Sequence, residues 1–311
     1  MLNDSEFARL DNLFKEVEQE YNNIGPQFTL AEVNLLTLPM FTLEKQPVGG
    51  TISVRLRQGD HFLIWKVAPH PEFGLPRPRD RLVHRAIEGL LLEEHPIPKE
   101  FKFSIFEVLK RLKWPQDGRN YRQVRQALRR VSTTSIEAQH AFAIKTPEGR
   151  RIQEITPLFT LYDVVFKGEH YRGRVLREAN LLLLGELYYR SLIHSYVKPL
   201  DWDYYLELIP LAQRLYELLG VKFFGLRGKR ALRYNYRTLC QLLPIRPQRY
   251  PSKAKQILEP AHKQLLETKF LSRAEWEITE RGWYLHYEPG ARYWAEVQFA
   301  ASRPGFRPLE W

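Results

Sequence analysis

Residues 104–134, SIFEVLKRLKWPQDGRNYRQVRQALRRVSTT, decide how this chain is read. Ser104 can cap a helix, because its hydroxyl reaches an orphan backbone N–H at the helix start. Glu107, three positions on, can reach back to the cap and complete a capping box. Ile105, Val108, Leu109 and Leu112 then recur at helical spacing and form one apolar face. Pro115, Asp117 and Gly118 break that helix and turn the chain. In the next segment, 119–131, Tyr121, Val124, Leu128 and Val131 fall on one face. Arg119, Asn120, Arg122, Gln123, Gln126, Arg129 and Arg130 lie mostly away from it. A short helix, a tight turn and a second helix with an apolar back and an Arg/Gln front form a helix-turn-helix suited to a major groove. Arginine pairs bidentately with guanine and glutamine with adenine, so this front has the chemistry to read base edges.

A charged helix face is ordinarily solvated surface. Two features weigh against that here. No acid occurs between Arg119 and Ile136, so the arginines of the segment have no local partner. The following stretch also reads as a wing. Residues 135–145 are strand-like, Thr146-Pro147-Glu148-Gly149 is a turn, and 151–166 is a second β-prone run, with Arg150 and Arg151 at the tip.

Upstream, 51–57 and 60–67 read as two strands around Gln58-Gly59-Asp60. Residues 76–94 read as a helix with Leu82, Ile87, Leu90 and Leu91 inward. Three helices and a hairpin are the order of a winged-helix domain. The polar run KGEHYRGR at 167–174 then suggests a domain division.

The second half repeats the order. Asp201 can cap a helix running to Leu219, with Gly220 as its stop and Pro210 as a kink. Residues 236–243 read as a short helix and 244–250 as a turn. Residues 251–268 read as a second reading helix, with Ile257, Leu258, Leu265 and Leu266 at its back. Arg246, Gln248, Arg249, Ser252, Lys253, Lys255 and Gln256 are its candidate contacts, and Pro260 bends it. A hairpin over 275–287 follows. The expected fold is therefore α+β, mainly α, with two tandem winged-helix domains at 46–172 and 173–311 behind an N-terminal helical arm at 1–45.

Charge agrees with a polyanionic partner. The chain has 311 residues, with 47 Lys+Arg against 36 Asp+Glu and a formal charge of +11; its pI is near 9.6. The single cysteine, Cys240, lies in a leucine-rich run and reads as a small buried hydrophobe. It fits a reducing cytoplasm. The N-terminal MLNDSEFARLDN has no apolar core, so no secretory signal is expected. The leucine run 181–184 is far too short to span a bilayer, so no membrane is expected either.

A phosphate-cradling loop would need G-x-x-x-x-G-K-[ST]. The nearest stretch, 225–230, has Phe223 where the first glycine belongs and Arg230 where the Ser/Thr belongs, and reads as a basic loop. The histidines contain no His-x-His pair for a rolling-circle nuclease and no His-x-x-Arg for a tyrosine recombinase. Glu93-Glu94-His95 has no second metal ligand at helical spacing. The expectation is a non-enzymatic protein with no cofactor and no metal.

The chain resembles the replication initiator protein A family of bacterial plasmids. The resemblance runs from about Leu38 to Gly290. It is carried by LPMFTL at 38–43, GLPRPRDRLV at 74–83, and FSIFEVLKRLKWPQDGRNYRQVRQALRRVSTTSI at 103–136. In the second half it is carried by KPLDWDYYLEL at 198–208, LAQRLYELL at 211–219 and WYLHYEPG at 283–290. It implies two winged-helix domains that bind repeats in an origin and recruit host replication proteins. Carried over by position, 119–131 would be the first reading helix and 251–268 the second. A homodimer is compatible with it. Two other readings stay open: a winged-helix transcriptional repressor, and a non-catalytic interaction protein whose basic face meets an acidic partner or RNA.

Overall fold

A computed structural model describes residues 28–44, 50–146, 149–152, 155–194, 197–226 and 231–302; the expected helical arm lies outside them. The chain divides into two compact units. The first is Thr29–Lys198 with Pro244–Arg246. The second takes Phe28, Pro199–Leu243 and the described residues from Pro247 on. Both mix helix and sheet.

The first unit is built around a helix, Pro78–Leu92, a strand, Glu100–Phe103, and two helices, Ile105–Arg111 and Gly118–Ser132. Strands Tyr162–Val165 and Asn180–Leu184 complete it. The three strands form one antiparallel sheet in which 180–184 is central. Leu182 stands opposite Phe101 on one side and Val164 on the other. The polar run 167–174 is thus not the exit from this unit. It belongs to a hairpin, and the chain beyond it returns to pair with 100–103.

A second sheet pairs two strands that precede helix 78–92 with two that follow helix 118–132. Strands Ile52–Gln58, His61–Ala68, Ser135–Gln139 and Ile155–Phe159 are antiparallel in this order. The 52–58 and 61–68 pair is the expected one. Residues 135–139 and 155–159, however, are not wing strands. Ile136 and Ala138 are fully buried, and their strand takes 61–68 as a partner, so the segment joins the core sheet. Burying alternate side chains of one strand requires a sheet face on which to bury them. Trp65 anchors this core. It is stacked 6.4 Å from Phe142, and its indole N–H donates to the Pro39 carbonyl at 2.8 Å. Ala143–Thr146 and Gly149–Ile152 form a separate small hairpin.

Helix 78–92 departs from the expected apolar stripe. Ile87 and Leu91 are buried, but Leu82 and Leu90 are only half-buried. Arg81, His84, Arg85 and Glu88 occupy the buried face instead. Arg85 donates to Glu88 at 2.7 Å and to the Leu35 carbonyl at 3.0 Å, and the Tyr188 hydroxyl donates to Glu88 at 2.6 Å. These bonds offset the cost of burying charge. Glu32, buried nearby and accepting from Ser191, is pushed up to about 7 by desolvation.

The second unit has the same order of elements. Helix Pro210–Phe224 is followed by strand Leu232–Asn235, helix Tyr236–Leu242, helix Pro251–Glu267, and strands Leu271–Thr279 and Gly282–Pro289. Its sheet again has the last strand in the centre: Leu285 stands opposite Tyr234 and Trp276. Tyr216 meets Phe270 edge-on at 4.8 Å in the core. Asp201 caps a helix as expected, but that helix ends at Glu207. Pro210 does not kink a longer one. It opens a new helix at the first-turn position, where its missing N–H costs nothing. Gly220 lies buried inside that helix rather than at its end.

Candidate nucleic-acid interface

Helices 105–111 and 118–132 are each capped by local hydrogen bonds. The Phe106 N–H donates to Ser104 Oγ at 3.2 Å, and the Ser104 N–H donates to Glu107 at 3.2 Å. Asp117 caps the second helix, accepting the Asn120 N–H at 2.8 Å. Val124, Ala127, Leu128 and Val131 are buried behind it.

Three residues stand exposed on the front of this helix: Arg119, Arg122 and Gln126. They make no side-chain hydrogen bond or ion pair with another described residue. The other expected contacts flank them and are engaged. Asn120 donates to the Pro115 carbonyl at 2.9 Å and so ties the turn. Gln123 accepts from Arg79 at 3.2 Å. Arg130 turns inward, to Asp80 at 2.6 Å and the Phe73 carbonyl at 2.9 Å. On the opposite flank Arg129 meets Glu169 at 2.5 Å. Arg125, absent from the expected set, lies 4.1 Å over the Phe166 ring and 3.7 Å from Glu169. Arg125, Arg129 and Arg130, which lack acids along the sequence, find them across the fold.

Phe166 and Glu169 open the hairpin that joins strands 162–165 and 180–184. Its tip is a two-residue turn, with His170 and Tyr171 paired to Val175 and Arg174. Arg172 and Gly173 both take positive φ, 49° and 77°, the left-handed pair that such a turn requires. Lys167, Arg174 and Arg177 are exposed on this hairpin, and Arg172 pairs with Glu100 at 2.7 Å. Between hairpin and helix runs an open groove of about 520 Å³ whose lining includes Lys102, Tyr121, Arg125, Lys167 and Asn180. Arg172-Gly173 between Tyr171 and Val175, followed by Asn-Leu-Leu-Leu-Leu at 180–184, is the local signal that could have marked this hairpin, whose polar run at 167–174 reads instead as a domain division. Arg150 and Arg151, expected at the wing tip, lie on strand Gly149–Ile152, and their side chains are outside the described residues.

In the second unit Ala254, Leu258, Ala261, His262 and Leu265 form the buried back of helix 251–267. Leu258 and Leu265 are as expected. Ile257 and Leu266 are not: each is 37 % exposed. The buried stripe steps by three and four from Ala254, and this spacing leaves those two on the flanks. Ser252, Lys253, Lys255 and Gln256 are exposed, and Lys253 donates to Gln256 at 3.1 Å. Arg249 is exposed in the preceding turn, as is Arg246, which is grouped with the first unit, and the Gln248 N–H donates to the Tyr236 hydroxyl at 3.0 Å. Pro260 lies within the helix and leaves the Gln256 carbonyl without its helical donor. The basic loop at 225–230 is described only as far as Leu226.

The second hairpin differs in charge. Arg273 pairs with Glu275 and with Glu288, the latter at 3.3 Å. Arg233 pairs with Glu277 at 2.8 Å, and His286 meets the same carboxylate at 2.6 Å. Hydrogen bonds from Arg233 and His286 hold Glu277 down at about 2. Behind the helix, His262 meets the Tyr287 hydroxyl at 2.9 Å, and burial pushes the imidazole down to about 4.

Among the described residues no helix is long and apolar enough to cross a membrane, and no three His, Cys, Asp or Glu converge as metal ligands. The fold matches solved structures. Domains 2 and 3 of RctB, in a selenomethionine crystal structure, align with a TM-score of 0.51 at 12 % identity, over 83 % of this chain and 98 % of theirs. Another crystal structure of RctB domains 2–3 gives 0.46 at 11 %, over 83 % and 97 %. No curated protein matches the sequence. Residues 31–241 match the family described as Replication initiator protein A. That span covers more than half of the chain and includes the helix with the Arg/Gln front, so the chain belongs to the replication initiator protein A family.

Proposed function

We propose that this protein initiates plasmid replication by binding duplex DNA at origin repeats through two winged-helix domains. One domain reads with helix 118–132, and the other reads with helix 251–267. The observation that carries this is the repeated order of helix, strand, helix, helix and two strands, with the last strand central in each sheet. In each repeat the third helix buries one face and presents polar side chains on the other. That geometry lets a helix enter a major groove, which is wide enough to admit one.

In the first domain Arg119, Arg122 and Gln126 form the base-reading set. Asn120, Gln123 and Arg130 fix the helix from one flank rather than read from it. The hairpin at 166–179 is the wing, and Lys167, Arg174 and Arg177 on it meet phosphates beside the groove. In the second domain Ser252, Lys253, Lys255 and Gln256 read, with Arg249 on an adjoining phosphate. In the second hairpin Arg273 is paired with glutamates while Arg281 is exposed at the turn, so that hairpin offers fewer free cations to phosphate than the first.

The test is titration and footprinting on duplexes taken from the DNA beside the gene, with a scrambled duplex as control. Tight binding to direct repeats about two helical turns apart is the expected result, since two modules would occupy successive major grooves. Equal affinity for native and scrambled duplexes would end the reading.

A further inference from the structure

We infer that Glu169 is a positioning residue for DNA recognition: it clamps Arg125 and Arg129 on the hairpin flank of helix 118–132 and thereby makes binding selective. This rests on the reading of that helix as the base-reading element.

The clamp is built from both sides. Glu169 is anchored in the hairpin, where its N–H donates to the Phe166 carbonyl at 2.9 Å and its carbonyl accepts the Leu176 N–H at 2.8 Å. One carboxylate oxygen accepts the Phe166 N–H at 2.9 Å, which holds the side chain against its own turn. The other oxygen faces the helix, 2.5 Å from Arg129 and 3.7 Å from Arg125. Arg125 and Arg129 are one turn apart on the helix, so a single carboxylate can serve both. Phe166 is fully buried and gives the Arg125 guanidinium a fixed plane to stack on, with its centre 4.1 Å from the ring. A guanidinium stacked on a fixed ring beside a carboxylate is restricted in the directions its N–H groups can face.

A carboxylate on a face that meets phosphate opposes binding to any duplex, since like charges repel. Its gain is geometric. Two long side chains that would otherwise swing toward whichever phosphate is nearest are held at one depth and one angle. A duplex docked out of register cannot recruit them. Glu169 therefore lowers affinity for all DNA, and lowers it least for the DNA that fits.

The test uses the full chain with Glu169→Gln and Arg125→Lys, titrated on the preferred and the scrambled duplex across salt. Glu169→Gln keeps an acceptor for the Phe166 N–H but removes the charge. It should raise affinity for scrambled DNA several-fold and steepen the salt slope by about one. The ratio of specific to non-specific affinity should fall, by at most that same several-fold factor, because the specific complex gains less. Arg125→Lys keeps the charge but loses the planar stack. It should lower the same ratio with the slope unchanged, and in both variants the melting temperature should stay near that of the parent. If Glu169→Gln strengthens both duplexes by the same factor, or changes neither, Glu169 is only a surface charge and the clamp is disproved. The parent protein serves as the separate control: a parent without any preferred duplex would defeat the DNA-reading proposal itself.

Discussion

Arg122 and Leu128 belong to one helix and face opposite ways, so they separate reading from folding. Arg122→Ala should weaken the specific complex by about 1–3 kcal/mol and relax preference at one base position, with the melting temperature unmoved. Leu128→Ala opens a cavity behind the helix and should cost about 2–5 kcal/mol of folding stability. Loss of stability in the first variant, with binding intact, would mean that the faces are reversed. His262 gives a pH signature. Its folded value, near 4, is below the ordinary histidine value, so the unfolded chain takes up the proton first. The second unit should keep its full stability above about pH 6.5. It should lose up to about 3 kcal/mol as the pH falls toward 4. Denaturation curves at several pH values, read beside His262→Asn, check this; an identical acid slope in the variant would refute it.

At the scale of elements, the hairpin at 166–179 has Lys167, Arg174 and Arg177 exposed, whereas in that at 271–289 Arg273 is paired with glutamates and Arg281 is exposed at the turn. Replacing Lys167, Arg174 and Arg177 together by glutamine should make the salt slope shallower by roughly 2–3 and leave base preference in place. The corresponding change at Arg273 should leave the slope where it was. A shallower slope from Arg273→Gln than from the triple variant would reverse the roles assigned to the two hairpins. Helices 105–111, 118–132 and 236–242, and the second hairpin, were legible in sequence, because caps and turns act over a few residues. The first hairpin was not. Residues 135–139 and 162–165 are both β-prone, and only the choice of partner separates core sheet from wing.

At the scale of the molecule, six to eight phosphate contacts spread over both units should make log K fall with log[salt] with a slope of about −5 to −7. A slope near −1 on the best duplex would remove the electrostatic basis of the proposal. Two reading helices on one chain also act at high effective concentration. Arg119, Arg122 and Gln126 replaced together by alanine, or Lys253, Lys255 and Gln256 replaced together, should each leave a single working module. Affinity should drop by roughly 10²–10⁴, and the footprint should shorten to one groove. If the second set alone changes neither, helix 251–267 is not a reader and the tandem mechanism fails.

What the amino-acid order determined by itself lies within a turn or two of helix: the capping box of Ser104 and Glu107, the apolar back of helix 118–132, and the start of a helix at Pro251. These depend on contacts between residues three or four apart, which any stretch of sequence displays. The burial of Arg85 with Glu88, the inward turn of Arg130 to Asp80 and the clamp of Glu169 on Arg125 and Arg129 came only with the tertiary structure. The last two join residues that lie far apart along the chain, and the first joins neighbours whose burial depends on what covers them. An unpaired arginine and an engaged one look the same in sequence. The difference between them is the position of a carboxylate that the fold brings from elsewhere.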